Sequence, residues 1–536
     1  MNKPDSSKEN RSLASLAVAA GILLSRLAGL IRTRFFAAYL GNSEAAGAYS
    51  AAMKIPNFLQ NLFGEGIMSA SFIPVYARLR AEGRNEEAVE VAETIGSILG
   101  IVVTVFAGIG VLSSRVLIDI LAPGFVGETR ELTIHIVQIL FPGAALLVLS
   151  AWCLAVLNSH KQFLLAYAAP VVWNISIIVA LIVFGQGWFV PIPNQMDLAL
   201  QITWGTLVGC LLQFLVQLPK AMRLSQFLRF RISIRSPEVR TVIRNFFPVV
   251  LSRGVIQISA WIDASIASLL SAPMVAALGY AQQLYLLPIS LFAMSISAAQ
   301  LPAMSSIVGT SDEIHSVLRD QLATSLKRVT FFVIPSVVAF LVLGDVVTAT
   351  VLMTGRFQAK DVIIVWTILA GSTFGLLAQT QGRLFSSTFY ALKDSRTPVK
   401  FAIIRVSITG VLGYIFAVQL RNYWGWSEVI GTAALTATAG FGGWVEYILL
   451  RRSLVLKIGP VLVPRSFLAK LWTMALAASG IAYGLKLLLP AIHPLVNGPI
   501  VLGVYGLIYM GETALFDVGE GRGLIKKVLR KLKLSK

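Results

Sequence analysis

The sequence predicts an all-α polytopic membrane protein of about 14 transmembrane helices, with two six-helix lobes around a central cavity plus two C-terminal helices. Three observations predict it. Of the 536 residues, 56% are hydrophobic and only 13% are charged, about half the roughly 25% charged fraction of a soluble domain. That balance excludes a water-soluble enzyme of this length. Long apolar segments recur along the whole chain, and motifs of the first two return near the middle in the same order.

A window of about 19 residues finds apolar segments at 13–40, 44–77, 89–121, 131–157, 162–186, 198–219, 238–270, 273–306, 316–343, 361–392, 400–420, 427–450, 466–490 and 495–517. At about 20 residues per span, that makes fourteen. Several are longer than a simple span and contain Gly, Pro and charges, so they are expected to tilt or bend around a cavity. The N-terminal stretch Met1 to Asn10 is polar and the first apolar run holds three arginines. A cleaved signal peptide lacks such charges, so the run reads as a retained helix.

The formal net charge is +19, which in a soluble protein would point to nucleic acid. Here most of the charge lies between apolar runs and reports topology. With the N-terminus cytoplasmic, inside segments hold 31 Lys and Arg, whereas outside loops hold four, Arg130, Arg356, Lys360 and Arg421. The positive-inside rule then places both termini in the cytoplasm. The remaining ten, Arg26, Arg32, Arg34, Lys54, Arg115, Arg253, Arg383, Arg405, Lys470 and Lys486, lie in or at the edges of spans. Charged side chains at that depth mark functional sites. Cys153 and Cys210 both sit inside apolar runs, so neither a disulfide framework nor a cysteine metal site is expected.

The repeat is carried by three matches. Leu24-Ser25-Arg26 returns as Leu251-Ser252-Arg253, Ala48-Tyr49 before Pro56 as Gly279-Tyr280 before Pro288, and Ser69 to Pro74 as Ser297 to Pro302, at offsets of 227 to 232 residues. Two homologous six-helix bundles entering from the same side form a parallel repeat. The expected division is 1–220 for the first lobe, 221–240 for a basic cytoplasmic linker, 241–460 for the second lobe and 461–520 for two extra helices. Residues 521–536 form a basic amphipathic tail, for which a plain topology anchor is the simpler reading.

Within the spans, Ser25, Arg26 and Arg32 on the first helix are candidate substrate-binding residues. An arginine at bilayer depth costs at least about 2.5–3.5 kcal/mol on insertion scales, and a guanidinium fork suits phosphate oxygens. Arg26 and Arg32 are expected to face one lumen together, while snorkelling to an interface is the bland reading, strongest for Arg34. Arg253 stands at the repeat-equivalent place of Arg26. Glu65, between Gly64 and Gly66, either pairs with these arginines or gates them. Asp263, mid-span, is a candidate cation or proton site, with pairing to a basic residue as the alternative. Asp394 is a second cation-coupling candidate, although its place in a cytoplasmic turn before Pro398 suits a helix cap. No Walker motif, nucleophile elbow or metal-spaced histidine set occurs, so no enzyme site is expected.

The run Ser25-Arg26-Leu27-Ala28-Gly29-Leu30-Ile31-Arg32, with Lys54-Ile55-Pro56-Asn57, Phe63-Gly64-Glu65-Gly66 and Phe72-Ile73-Pro74-Val75, resembles the opening of the MurJ (MviN) family of lipid II flippases. The likeness continues through Ala122-Pro123-Gly124-Phe125, Asn174-Ile175-Ser176, Gln217-Leu218-Pro219, Gln257-Ile258-Ser259, Tyr280-Ala281 and Thr354-Gly355-Arg356-Phe357 to Phe389-Tyr390-Ala391-Leu392-Lys393-Asp394-Ser395-Arg396-Thr397-Pro398. It covers essentially the whole chain. The resemblance implies the fold of the multidrug/oligosaccharidyl-lipid/polysaccharide exporters in a bacterial inner membrane. It also implies export of the undecaprenyl-pyrophosphate-linked peptidoglycan precursor to the outer leaflet by alternating access. It carries the first-helix arginines onto Arg26 and Arg32, and the second-helix glutamate onto Glu65. No cofactor is implied beyond sodium or membrane-potential coupling, and cell-wall synthesis enzymes are candidate partners.

The chain departs from the family pattern at Gly47, where an aspartate is frequent, at Gln60 and Gln283, where arginines are common, and at Thr33, where an acidic residue is frequent. Arg253 is the candidate to restore one lost charge. Two other readings stay open. One is export of a different lipid-linked oligosaccharide, or cation-coupled drug antiport, within the same superfamily. The other is a non-transporting scaffold for cell-wall enzymes, against which the insertion cost of buried arginines argues.

Overall fold

The computed structural model describes residues 6–63, 65–187, 194–226, 229–294, 310–461, 463–490, 493–516 and 518–523, with Ile296 and Met304. The chain divides into two compact units, Met1–Ala276 with Thr354–Arg356, and Ala277–Met353 with Phe357–Lys536.

The first unit is built from α1 (Ser6–Leu40), α2 (Glu44–Ala52), α3 (Lys54–Phe63), α4 (Glu65–Ala81), α5 (Asn85–Leu112), α6 (Ser114–Leu121), α7 (Gly127–Ser159), α8 (Phe163–Gly185), α9 (Gln195–Ser225) and α10 (Pro237–Ser268). The second apolar segment, expected as one bent span, is three helices. Pro56 near the start of α3 has no N–H to continue the α2 ladder, and Met53 ends α2. The core of this unit gathers Ile67, Met68, Phe72 and Tyr76 of α4 around Val91 of α5 and Trp152 and Val156 of α7. On the opposite, lipid-suited faces, large apolar side chains such as Val105, Ile109 and Leu112 of α5 stay exposed.

The second lobe was expected to begin at 241, but α10 belongs to the first unit. Its N-terminal Glu238 takes Arg78 at 2.6 Å and Arg84 at 3.3 Å. At its far end Ser265 donates to the carbonyl of Leu121 at 2.9 Å. A Cβ on Gly124 would stand 2.0 Å from the carbonyl oxygen of Ser268, so only glycine admits that approach.

The second unit holds α11 (Ala272–Pro288, from Ala277 onward), α12 (Ser311–Val342), α13 (Gly344–Leu352), α14 (Ala359–Thr373), α15 (Leu376–Ala391), α16 (Arg396–Tyr414), α17 (Glu428–Ile458), α18 (Arg465–Leu488) and α19 (Pro494–Leu515). The helix α11 passes into a π-helical turn, Ile289–Met294, directly after Pro288. The tenth apolar segment is likewise broken, with α14 and α15 meeting at 45°. Trp444 of α17 donates to the Phe374 carbonyl freed there, at 2.9 Å. The last two helices are not loosely appended. Tyr505 and Tyr509 of α19 donate to the carbonyls of Pro335 and Phe331 at 2.7 and 2.8 Å, and Lys486 of α18 pairs with Asp345 of α13.

The repeat is visible in the element order of each unit. A long helix is followed by a helix of eight or nine residues and then by the next long segment: α5, α6, α7 in one unit and α12, α13, α14 in the other, with starts 226, 230 and 232 residues apart. The Ser297 to Pro302 copy of the third motif lies outside the described residues. Among the described residues ten helices are long and apolar enough to cross a membrane, eleven when the bent pair counts as one span. The all-helical polytopic fold stands. The number fourteen is not reached on that criterion, because α1, α2 to α4 and α10 do not meet it.

Candidate functional site

Arg32 on α1 lies against an aromatic ring of a neighbouring helix. The helix α1 packs along α8, and the Arg32 guanidinium carbon lies 5.0 Å from the centroid of the Trp173 ring. Such a contact contributes about 0.5–2 kcal/mol, more when desolvated. Arg32 also interacts electrostatically with Tyr49 of α2. The Tyr49 hydroxyl and that of Thr206 on α9 share a 2.7 Å hydrogen bond, which fixes the phenol. Thr33, next in sequence, turns back on its own helix and donates to the Gly29 carbonyl at 2.9 Å.

Arg26 and Arg32 do not form the expected common face. At 3.6 residues per turn, six residues along an unbroken helix leave two side chains about 120° apart. Arg26 is exposed among Leu23, Leu27 and Ile31, which are also exposed, and Ser25 is half-buried. The structure therefore separates the two arginines, and among the described residues the aromatic contact falls on Arg32.

A second group forms where α10 crosses α3. Lys54, Phe58 and Asn61 lie on one face of α3 at helical spacing. Phe58 meets Trp261 at 4.5 Å between ring centroids, and Asn61 donates to Gln257 at 3.4 Å. Lys54 interacts electrostatically with Asp263. Both charged residues are half-buried. The mid-span carboxylate read from sequence as a cation site thus interacts electrostatically with an ammonium of its own chain.

Asp394 is not placed as a coupling site. Its Oδ2 accepts from Lys457 Nζ at 2.5 Å and from the Thr397 hydroxyl at 2.7 Å, while Oδ1 accepts the Thr397 N–H at 3.1 Å. Lys457 first, and then the two Thr397 donors, hold the carboxyl down to about 2. Both of its oxygens are engaged in starting α16 and tying it to α17, the capping role its turn position suited.

The side chains of Glu65 and Arg253 lie outside the described residues, so their sequence-based roles are neither joined to nor separated from Arg32. Gly47 has a reason of its own. A Cβ there would stand 2.1 Å from the carbonyl oxygen of Ala272 and 2.5 Å from its carbon. Any side chain, an aspartate included, would strike backbone. Among the described residues no group of three or more His, Cys, Asp or Glu could hold a metal ion.

Sequence reasoning missed Trp173, Tyr49 and Thr206 around Arg32, and Lys54 as the partner of Asp263. It also missed Glu446, a mid-helix carboxylate that pairs with Arg405 at 3.3 Å. For the charged residues the signal was present, since Lys54 and Arg405 are among the ten basic residues at span depth. Nothing in the sequence says that an aromatic 141 residues away underlies Arg32.

Comparison with known proteins decides the family. The family model described as "Lipid II flippase MurJ" matches residues 36–496. The chain belongs to the MurJ lipid II flippase family. The MurJ relatives include the lipid II flippase MurJ of Burkholderia cenocepacia, 29% identical over 82% of each chain. The probable lipid II flippase MurJ of Vibrio cholerae is 28% identical over 80% of each. A solved structure titled "Lipid II flippase MurJ, inward closed conformation" superposes with a TM-score of 0.77 at 23% identity, covering 95% of this chain and 100% of that one. An inward-facing multidrug resistance MATE transporter of the MOP superfamily gives 0.62 at 18% identity, covering 83% and 98%. Both likenesses are of fold. Membership of the MurJ family makes the chain a transporter rather than an enzyme.

Proposed function

We propose that this chain moves lipid II, the undecaprenyl-pyrophosphate-linked peptidoglycan precursor, from the cytoplasmic to the outer leaflet of a bacterial inner membrane by alternating access. The observation that carries the reading is the match of the family model over residues 36–496. Arg32 gives it a chemical footing. A pyrophosphate crossing an apolar barrier needs cations and hydrogen-bond donors at depth. Arg32, half-buried against Trp173, supplies a guanidinium backed by an aromatic ring. Arg26 is the second cation of the reading, and Ser25, Glu65 and Arg253 its remaining candidates.

The split of 31 basic residues against four supports cytoplasmic termini and multi-pass insertion. Coupling follows from Asp263. A sodium ion there would have to displace Lys54, whereas membrane potential acting on the substrate charge needs no such exchange. Potential-driven transport is therefore the preferred reading, and cell-wall synthesis enzymes are the proposed neighbours. Complementation of cells depleted of their own flippase, scored with outer-leaflet lipid II, tests the function. Growth without restored outer-leaflet lipid II would overturn it, and so would a failure to complement by well-expressed protein.

A further inference from the structure

The second unit contains a group of charges that the proposed headgroup site does not use. Adjacent glycines on α17, Gly442 and Gly443, admit two neighbouring helices. A Cβ on Gly442 would stand 2.6 Å from the Thr409 hydroxyl and 3.3 Å from Arg405 Cγ, both on α16, and one on Gly443 would stand 3.2 Å from Gln379 Cγ on α15. The Arg405 stem thus lies across Gly442, and one turn along α17 its Nε reaches Glu446 Oε2 at 3.3 Å, with both side chains less than a fifth exposed. Arg383, one turn beyond Gln379 on α15, interacts electrostatically with Arg405, Glu446 and Tyr285. Tyr285 comes from α11.

The group is rich in donors and poor in acceptors. The group holds two guanidiniums and one carboxylate, which pairs with Arg405, and so carries a net charge of +1. Arg405 Nε is buried and reaches Glu446 without hydrogen-bond geometry, and the hydroxyl of Tyr285, a residue only 8% exposed, has no partner among the described residues. Arg383, by contrast, is exposed, so the charge is reachable. A buried donor without an acceptor is costly, and a lone positive charge at membrane depth more so. An incoming anion with two or more oxygens would satisfy the Arg383 fork and the Tyr285 hydroxyl together while Glu446 keeps Arg405 oriented.

We infer that Arg383, Arg405, Tyr285 and Glu446 form a second anion-binding site, which takes a carboxylate- or phosphate-class oxyanion. Arg383 and Tyr285 are its direct donors. Arg405 is the fixed counter-charge, and Glu446 is its positioning residue. The inference stands on this geometry and does not depend on which substrate the protein moves.

The test uses the full-length protein in neutral phosphatidylcholine nanodiscs, titrated with inorganic phosphate and separately with acetate at constant chloride, with melting followed by tryptophan fluorescence. A parallel arm replaces the neutral lipid with phosphatidylglycerol and omits free anion. The expected result is a stabilisation that saturates in at least one arm, persists in Arg32→Gln, and needs about tenfold or more anion in Arg383→Gln. Tyr285→Phe should weaken it less. The arm that saturates identifies the source, a soluble oxyanion or a lipid headgroup. Equal responses in the parent protein and Arg383→Gln, or no response in any arm, would overturn the site. Should Arg383→Gln fail to fold, Arg383→Lys keeps the charge but not the fork, and an unchanged phosphate affinity there would also overturn it. Complementation reads transport separately, so the two conclusions fail independently.

Discussion

Arg32 of α1 and Trp173 of α8 stand guanidinium over indole, 5.0 Å from carbon to ring centroid. The contact joins a charge that the membrane disfavours to a ring whose negative face attracts it. A cation–π contact of this kind restrains the guanidinium without using its N–H donors.

Replacing Trp173 by Leu is therefore expected to slow lipid II export without abolishing it. Loss of about 0.5–2 kcal/mol corresponds to roughly two- to thirtyfold. Arg32→Gln should remove export almost entirely. Outer-leaflet lipid II measured in depleted cells at matched protein levels checks both, and normal export by Arg32→Gln would defeat the assignment.

Lys54 and Asp263 should behave as a pair. Removing one partner of a fully buried ion pair costs about 3–5 kcal/mol, and because both are half-buried the expected single cost here is about 1–3 kcal/mol. Lys54→Met and Asp263→Asn should each lower the melting temperature more than the double substitution does relative to either single. If the double variant lost the sum of the two, the coupling would be absent.

Gly47→Asp would add a charge to α2 but is expected to harm this chain. The new Cβ meets the Ala272 backbone at 2.1 Å, and overpacking of this kind typically costs about 1–3 kcal/mol. Thermal melting of the purified variant should show the loss, as should Gly47→Ala. A Gly47→Asp protein as stable as its parent would contradict the packing argument.

Asp394 makes a prediction about acid. Its folded pKa is lowered, so its contribution to stability is fully present above the ordinary carboxylate value and is lost as pH falls from about 4 through about 2. Asp394→Asn should flatten that part of the stability curve and leave the slope above pH 5 unchanged. Melting between pH 2 and 7 measures it, and parallel curves for the two proteins would rule the linkage out.

The membrane class and the repeat were legible because both are one-dimensional signals. Apolar runs and their spacing survive in any fold that crosses a bilayer, and the short helices α6 and α13 fall 230 residues apart, as the sequence offset implies. Broken spans were legible in part, since Pro56 and Pro288 announce where a ladder must fail. The cap at Asp394 was legible from its turn and the proline that follows.

The site was less legible. From the sequence one could collect ten basic residues at depth but could not pair them. Lys54 and Asp263 are 209 residues apart in sequence, and Arg405 and Glu446 are joined because Gly442 lets two helices approach. Gly47 reads in sequence as a missing charge, whereas in the fold it is a close approach to the Ala272 carbonyl.

Sequence by itself determined the solvent this chain lives in, its helical class, its duplicated plan and the supply of charges at depth, because hydropathy and periodicity are properties of neighbours along the chain. Tertiary structure decided which charge meets which: α10 with the first unit, Arg32 on Trp173 and away from Arg26, Asp263 beside Lys54, and Arg383 near Arg405 and Glu446. Those pairings depend on helix crossing and on where glycine admits close contact, and electrostatic interaction falls off with distance in space rather than with separation in sequence.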